Sequence, residues 1–210
     1  MNKSAQKGLA PLILVIIAGI VIAGVVVVSK GSFTGKKPTP GESSPPQTGQ
    51  QSQGSYSNYD YNVSIQTPEG WTLKENPQPG TQATFFSSKE GGDDKFIENV
   101  GLQVSDLSAK PGVSLDEIVK AWVDQSKSEF PDSFKVISED KITLGGVEAI
   151  KITYQARDQV AALKGMSVFA LKDSKAYILN YSAEEKSFDK FLDGVNQIIS
   201  SFKFNYRIIN

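Results

Sequence analysis

Residues 136–156, VISEDKITLGGVEAIKITYQA, decide the fold. Two runs rich in Val, Ile, Thr and Tyr flank Gly145-Gly146, and a Gly-Gly pair in that setting is the chemistry of a tight hairpin turn. Ile150, Ile152 and Tyr154 fall two apart on the return run, so one face of the ribbon is apolar and needs cover. Further along, residues 166–171 and 176–181 read as a second hairpin across residues 172–175. Upstream, Tyr61, Val63, Ile65 and Thr67 alternate with polar residues, Pro68-Glu69-Gly70 supplies turn chemistry, and Trp71 with Leu73 begins another strand. Residues 83–86 read as a third strand, and Val100, Leu102 and Val104 alternate on a fourth. Strands follow one another as hairpins without β-α-β alternation, which predicts an antiparallel sheet.

Two helices supply the cover. Ser114 and Glu117 form a Ser-x-x-Glu capping box, with Val113 and Ile118 at the hydrophobic-staple positions. Leu115, Ile118, Val119 and Trp122 make the apolar stripe, and Pro131 ends the helix. At the C-terminal end, Phe188, Phe191, Leu192, Val195, Ile198, Ile199 and Phe202 recur at helical spacing. Gly194 weakens that helix by about 1 kcal/mol relative to Ala. These stripes read as core, because the sheet needs covering. The expected class is α+β: an antiparallel sheet of about six strands sandwiched by helices, within a domain spanning residues 59–206 and followed by a short tail, 207–210.

The order of these features resembles the PsbP-like domains, including the related bacterial DcrB-type domains. The carrying residues are YNVSIQTPEGW at 61–71, Phe85-Phe86, Glu98-Asn99-Val100 and Leu115-Asp116-Glu117. Gly145-Gly146 with Ala149 and Tyr154, then Tyr177, then Ser201-Phe202 complete the set. The resemblance implies an antiparallel sheet between helices and a family of non-catalytic modules. Plant and cyanobacterial members are extrinsic subunits on the oxygen-evolving side of photosystem II, where they assist manganese, calcium and chloride retention. A nuclear-transport branch of the fold binds a small GTPase. No residue here matches those roles, so the resemblance carries over a fold and a binding-module character, and no photosynthetic function.

Ahead of the domain lies Leu9 to Val28, LAPLILVIIAGIVIAGVVVV, which carries no charge. As a helix it would span roughly 30 Å, the thickness of a bilayer's hydrocarbon core. Its Leu, Ile and Val residues favour insertion by roughly 4–8 kcal/mol in total. The run is longer than the apolar core of a cleavable signal peptide, and its only passable cleavage site, Val21-Ile22-Ala23, is soon followed by four valines. It therefore reads as an uncleaved single-pass membrane anchor. Residues 1–8 would be a short cytoplasmic N-terminus, with the domain on the extracytoplasmic side. Lys7-Gly8-Leu9 also resembles a type IV prepilin leader, although Ile13 stands where that leader's mature helix has a glutamate and Pro11 comes early. A pilin-like surface subunit is thus one alternative. Residues 29–58, rich in Gly, Ser, Pro, Thr and Gln, read as a disordered linker.

Composition excludes more than it selects. With no cysteine there is neither a disulfide nor a lipid-modified N-terminal cysteine, and with no histidine the commonest general base and metal ligand are missing. From Tyr59 onward 17 Lys and Arg face 22 Asp and Glu, a poor surface for nucleic acid. No phosphate-binding glycine loop is present, since acids flank Gly91-Gly92 on both sides. Ser138/Lys141 and Ser187/Lys190 match Ser-x-x-Lys, but the partner motifs of the enzymes that use it are missing, so both read as chance. Asp93, Asp94 and Glu98 are weak candidates for holding a hard cation, without EF-hand spacing. No catalytic residue and no cofactor is expected. Two classes of function follow. A membrane-anchored, non-catalytic binding or assembly module would meet another envelope protein through exposed aromatics such as Trp71 and Phe85. The alternative is a carrier or sensor holding a small apolar ligand in an enclosed cavity.

Overall fold

Residues 54–91, 96–157 and 161–205 are described by a computed structural model. The expected anchor at 9–28, the linker up to residue 53 and the tail at 207–210 lie outside the described residues. Among the described residues no helix is long and apolar enough to cross a membrane.

Seven strands form the main sheet: β3 (Thr72–Gln78), β4 (Thr81–Phe86), β5 (Asn99–Asp106), β6 (Lys135–Leu144), β7 (Val147–Arg157), β8 (Ala162–Lys172) and β9 (Lys175–Glu184). Their spatial order is β3-β4-β5-β9-β8-β7-β6, and every neighbouring pair is antiparallel. Both hairpins expected from the glycine pair and from residues 172–175 are present, with Leu144 opposite Val147 and Lys172 opposite Lys175. Gly145 and Gly146 sit at φ +57° and +86°, which side chains with a Cβ rarely adopt. A second, three-stranded sheet of order β1-β2-β10 joins β1 (Ser55–Asn58), β2 (Val63–Gln66) and β10 (Lys203–Phe204).

The alternation of side chains gives the main sheet two apolar faces, and different elements cover each. On one face Ile150, Ile152, Tyr154, Phe169 and Ile178 meet Ile118, Val119 and Trp122 of helix α1 (Leu115–Glu129). The Trp122 ring stands edge-on to Tyr154 and Phe169, with centroids 5.2 and 5.4 Å away. Burial of each such large side chain contributes roughly 1.5–3 kcal/mol. On the other face Phe85, Leu102, Val168, Leu179 and Tyr181 pack against Val195 and Ile198 of α2 (Leu192–Ser201) and Tyr56, Val63 and Ile65 of the small sheet.

Four expectations need correction. The sheet has seven strands, and a separate three-stranded sheet accompanies it. The second face is covered by a helix together with that small sheet, so helices alone do not make the sandwich. The C-terminal helix starts later than its apolar spacing suggests, because Phe188–Phe191 forms a 3₁₀ turn before α2. Finally, the last four residues assigned to the linker are β1, drawn into the fold by Tyr56, which is 1% exposed.

Candidate functional site

Trp71 and Phe85, expected at a binding surface, have different fates, and neither is a free aromatic. Phe85 is fully buried, which corrects the expectation. On β4, Ala83 and Phe85 share the inward face, and Phe86 takes the outward one with the Lys74 ammonium 5.2 Å from its ring centre. Trp71 is half-buried at the start of β3 and meets the edge of Phe191 at 6.2 Å. Its indole lies so close to α2 that a Cβ on Gly194 would come within 2.6 Å of Nε1. The glycine that weakens the helix is the one that lets the tryptophan dock.

Of the three carboxylates considered for a cation, Asp93 and Asp94 lie outside the described residues. Glu98 is buried, and the Ser87 hydroxyl donates to its Oε2 at 3.5 Å. Its charge, with that of Asp189, adds to the effect of burial in pushing the Tyr181 phenol above its ordinary pKa. The Tyr181 hydroxyl donates to the Phe188 carbonyl at 2.9 Å, tying β9 to the 3₁₀ turn. Among the described residues no three Asp or Glu side chains converge as a metal site would require.

The Ser-x-x-Lys pairs are taken apart by the fold. On β6, Ser138 stands opposite Thr153 and Lys141 opposite Ile150, so the two side chains leave opposite faces of the strand. Lys141 pairs with Glu148 at 3.5 Å, and the Ser138 hydroxyl donates to Asp140 Oδ2 at 3.4 Å. Ser187 is buried, and Lys190 pairs with Glu90. A buried polar network missed by the sequence reading links three strands beneath α1. The hydroxyls of Tyr154 and Ser167 both donate to Asn180 Oδ1, at 3.2 and 2.6 Å, and Asn180 Nδ2 donates to Ser182 Oγ at 3.3 Å. Burial pushes the Tyr154 phenol up to about 12, which keeps it neutral. The alternating strand pattern marks these positions as inward, but nothing in it says that polar residues would fill them.

The concave feature lies elsewhere, at one end of the molecule. A groove of about 1140 Å³ opens between the β6–β7 turn, the C-terminal half of α2 and β10. Its floor is aromatic. The Phe204 ring presses on the turn, where a Cβ on Gly145 would come within 2.8 Å of it, and stands edge-on to Tyr177 at 4.9 Å. Lys172 and Lys203 are the charged residues among those lining it, and Lys172 Nζ lies 5.7 Å from the Phe204 ring centre. Asn196, Ser200 and Asn205 add hydrogen-bonding groups. The groove is open and half polar, unlike the enclosed apolar cavity that a carrier of small apolar ligands needs.

The family model described as PsbP-like protein matches residues 13–204. No curated protein matches the sequence. The solution structure of the cyanobacterial PsbP protein CyanoP, from Synechocystis sp. PCC 6803, is similar at a TM-score of 0.54 and 16% identity, covering 77% of this chain and 98% of that one. The crystal structure of LpqN, a protein involved in cell envelope biogenesis in Mycobacterium tuberculosis, is similar at a TM-score of 0.52 and 13% identity, covering 69% and 83%. At these identities the two structures speak for the fold alone.

Proposed function

The chain belongs to the PsbP-like protein family, and from that premise we propose that it is a non-catalytic binding or assembly module held at a membrane. Residues 9–28 anchor it, residues 1–8 stay in the cytoplasm, and the domain works on the extracytoplasmic side, joined to the anchor by the Pro/Ser/Gln-rich linker. Its partner is another envelope protein. The observation that carries this reading is the open groove between the β6–β7 turn, α2 and β10. It offers apolar, hydrogen-bonding and charged contacts together, a mixture suited to a protein surface.

Three measurements test the proposal. Protease added outside intact cells whose outer layers have been permeabilised should degrade the domain and spare residues 1–8. The full chain should stay with membranes through alkaline carbonate extraction. Cross-linking of the full chain in intact cells should join it to an envelope protein. A protease-resistant, carbonate-soluble chain without cross-links would overturn the reading.

A further inference from the structure

β10 is only two residues long, yet its placement is unusual. It is an outer strand of the small sheet, bonded to β2 on one side and, among the described residues, bordering the groove with no strand on the other. The Asn205 N–H donates to the Asn62 carbonyl at 2.7 Å, while Lys203 stands opposite Ser64 and Phe204 opposite Val63. Bonded and non-bonded pairs alternate along an antiparallel ladder. Asn205 therefore makes a bonded pair with Asn62, Lys203 makes one with Ser64, and Phe204 falls between them. The N–H and C=O of Phe204 point away from β2, to the free edge. An outward donor and acceptor on one residue form the unit to which a further strand attaches.

The charge around that edge is selective. The domain as a whole is acidic, but among the described residues the charged side chains lining the groove are two lysines, and no acid lines it. Lys172 has Asp173 at 3.4 Å, a mostly exposed partner, and its own side chain is 31% exposed. Lys203 makes no ion pair among the described residues. The chain's own linker is a poor occupant, because within residues 29–58 three lysines, Lys30, Lys36 and Lys37, face a single acid, Glu42. A lipid headgroup or a simple anion brings acceptors for the lysines but does not match a backbone donor and acceptor together. An extended peptide matches both.

Resting on the binding-module reading above, we propose that the groove takes an extended acidic segment of the partner protein, which adds as a strand to the free edge of β10. The peptide backbone bonds the N–H and C=O of Phe204. Alternate side chains settle on Phe204, Ile199 and Val147, and the carboxylates between them leave the opposite face beside Lys203, while Lys172, over the Phe204 ring, adds positive potential along the groove. Main-chain bonds supply affinity, and the two lysines supply the preference for acids.

The test uses the full ¹⁵N-labelled chain in non-ionic detergent. The probe is a capped six-residue peptide alternating Val and Glu. Binding should shift the amide signals of Gly146, Phe204 and Asn205. Affinity should fall about tenfold or more in Lys172→Glu/Lys203→Glu, and by a similar factor when the central peptide nitrogens are methylated. Lys203→Glu alone, at a solvent-facing side chain, should give part of that loss. The inference is overturned if the probe does not bind, if a Val/Lys peptide binds as well, or if the lysine variants bind unchanged. It is equally overturned if citrate or phosphatidylglycerol vesicles move the same amides as strongly as the peptide does. The binding-module reading fails separately. If the double variant still cross-links the same envelope protein in cells, the groove assignment falls and the module stands; if the native chain cross-links to nothing, the module reading falls.

Discussion

Two glycines carry much of the packing at the residue scale, and they differ in what stands opposite. A Cβ on Gly165 would come within 2.2 Å of Tyr154, whose ring is walled in by Trp122 and Phe134. Tyr154 has nowhere to go, so Gly165→Ala should cost about 3 kcal/mol, at the upper end for overpacking, measured by urea unfolding. Gly194→Ala sets a helix-propensity gain of about 1 kcal/mol against the displacement of Trp71. Trp71 is only partly buried and can swing outward, so the net loss should be about 1 kcal/mol, and it should reverse to a gain in a Trp71→Ala background. Tyr154 also sets an alkaline limit. Its folded pKa of about 12 lies above the ordinary value of 10.0, so the folded state holds the proton more tightly. The resulting stability is complete below pH 10 and is lost as pH rises towards 12, by about 3 kcal/mol if all of it is lost. Tyr154→Phe should remove that alkaline component from a titration of stability against pH, at the cost of one hydrogen bond to Asn180.

Elements that the sequence made legible are those whose local signals agree with their tertiary setting. The hairpin at 136–156 has strand composition, a glycine turn and an apolar face together, and the structure contains it with Leu144 opposite Val147. The capped helix is equally plain. Ser114 accepts from the Glu117 N–H, and the Glu117 carboxylate accepts from the Ser114 N–H at 2.9 Å, which holds that carboxyl below its ordinary pKa. Ser114→Ala should cost about 1 kcal/mol. Of the small sheet only β2 was legible, in the alternation of Val63 and Ile65; β1 and β10 were not. SYSN looks like linker, and the two residues of β10 look like a frayed helix end. Only long-range pairing with β2 makes them strands, and no local pattern encodes that. A direct check follows from Tyr56, buried on β1. A domain starting at residue 59 should be at least about 3 kcal/mol less stable than one starting at residue 54, by analogy with the loss of a core aromatic. Equal stability would return Ser55–Asn58 to the linker.

The whole molecule separates its chemistry by location. The polar network under α1 is satisfied inside the fold, as Asn180 is by Tyr154 and Ser167, whereas the buried hydroxyls of Tyr56 and Ser187 have no hydrogen-bond partner among the described residues. The expected aromatic surface was misread because strand position decides exposure: Phe85 shares the inward face of β4 with Ala83. The groove was invisible to the sequence because its walls come from residues far apart in the chain, near 145, 172, 199 and 204. Lys172, Lys203 and Phe204 carry no motif that would link them. On the proposed function, this groove is where a membrane-held module meets its partner. The most direct measurement places a photo-reactive residue at Ser200, beside the groove, and another at Glu139, on the outer strand β6, each in the full chain in intact cells. One envelope protein should be cross-linked from position 200 and none from position 139, and the product should be lost in Lys172→Glu/Lys203→Glu. No product from position 200, or the same product from both positions, would contradict that reading.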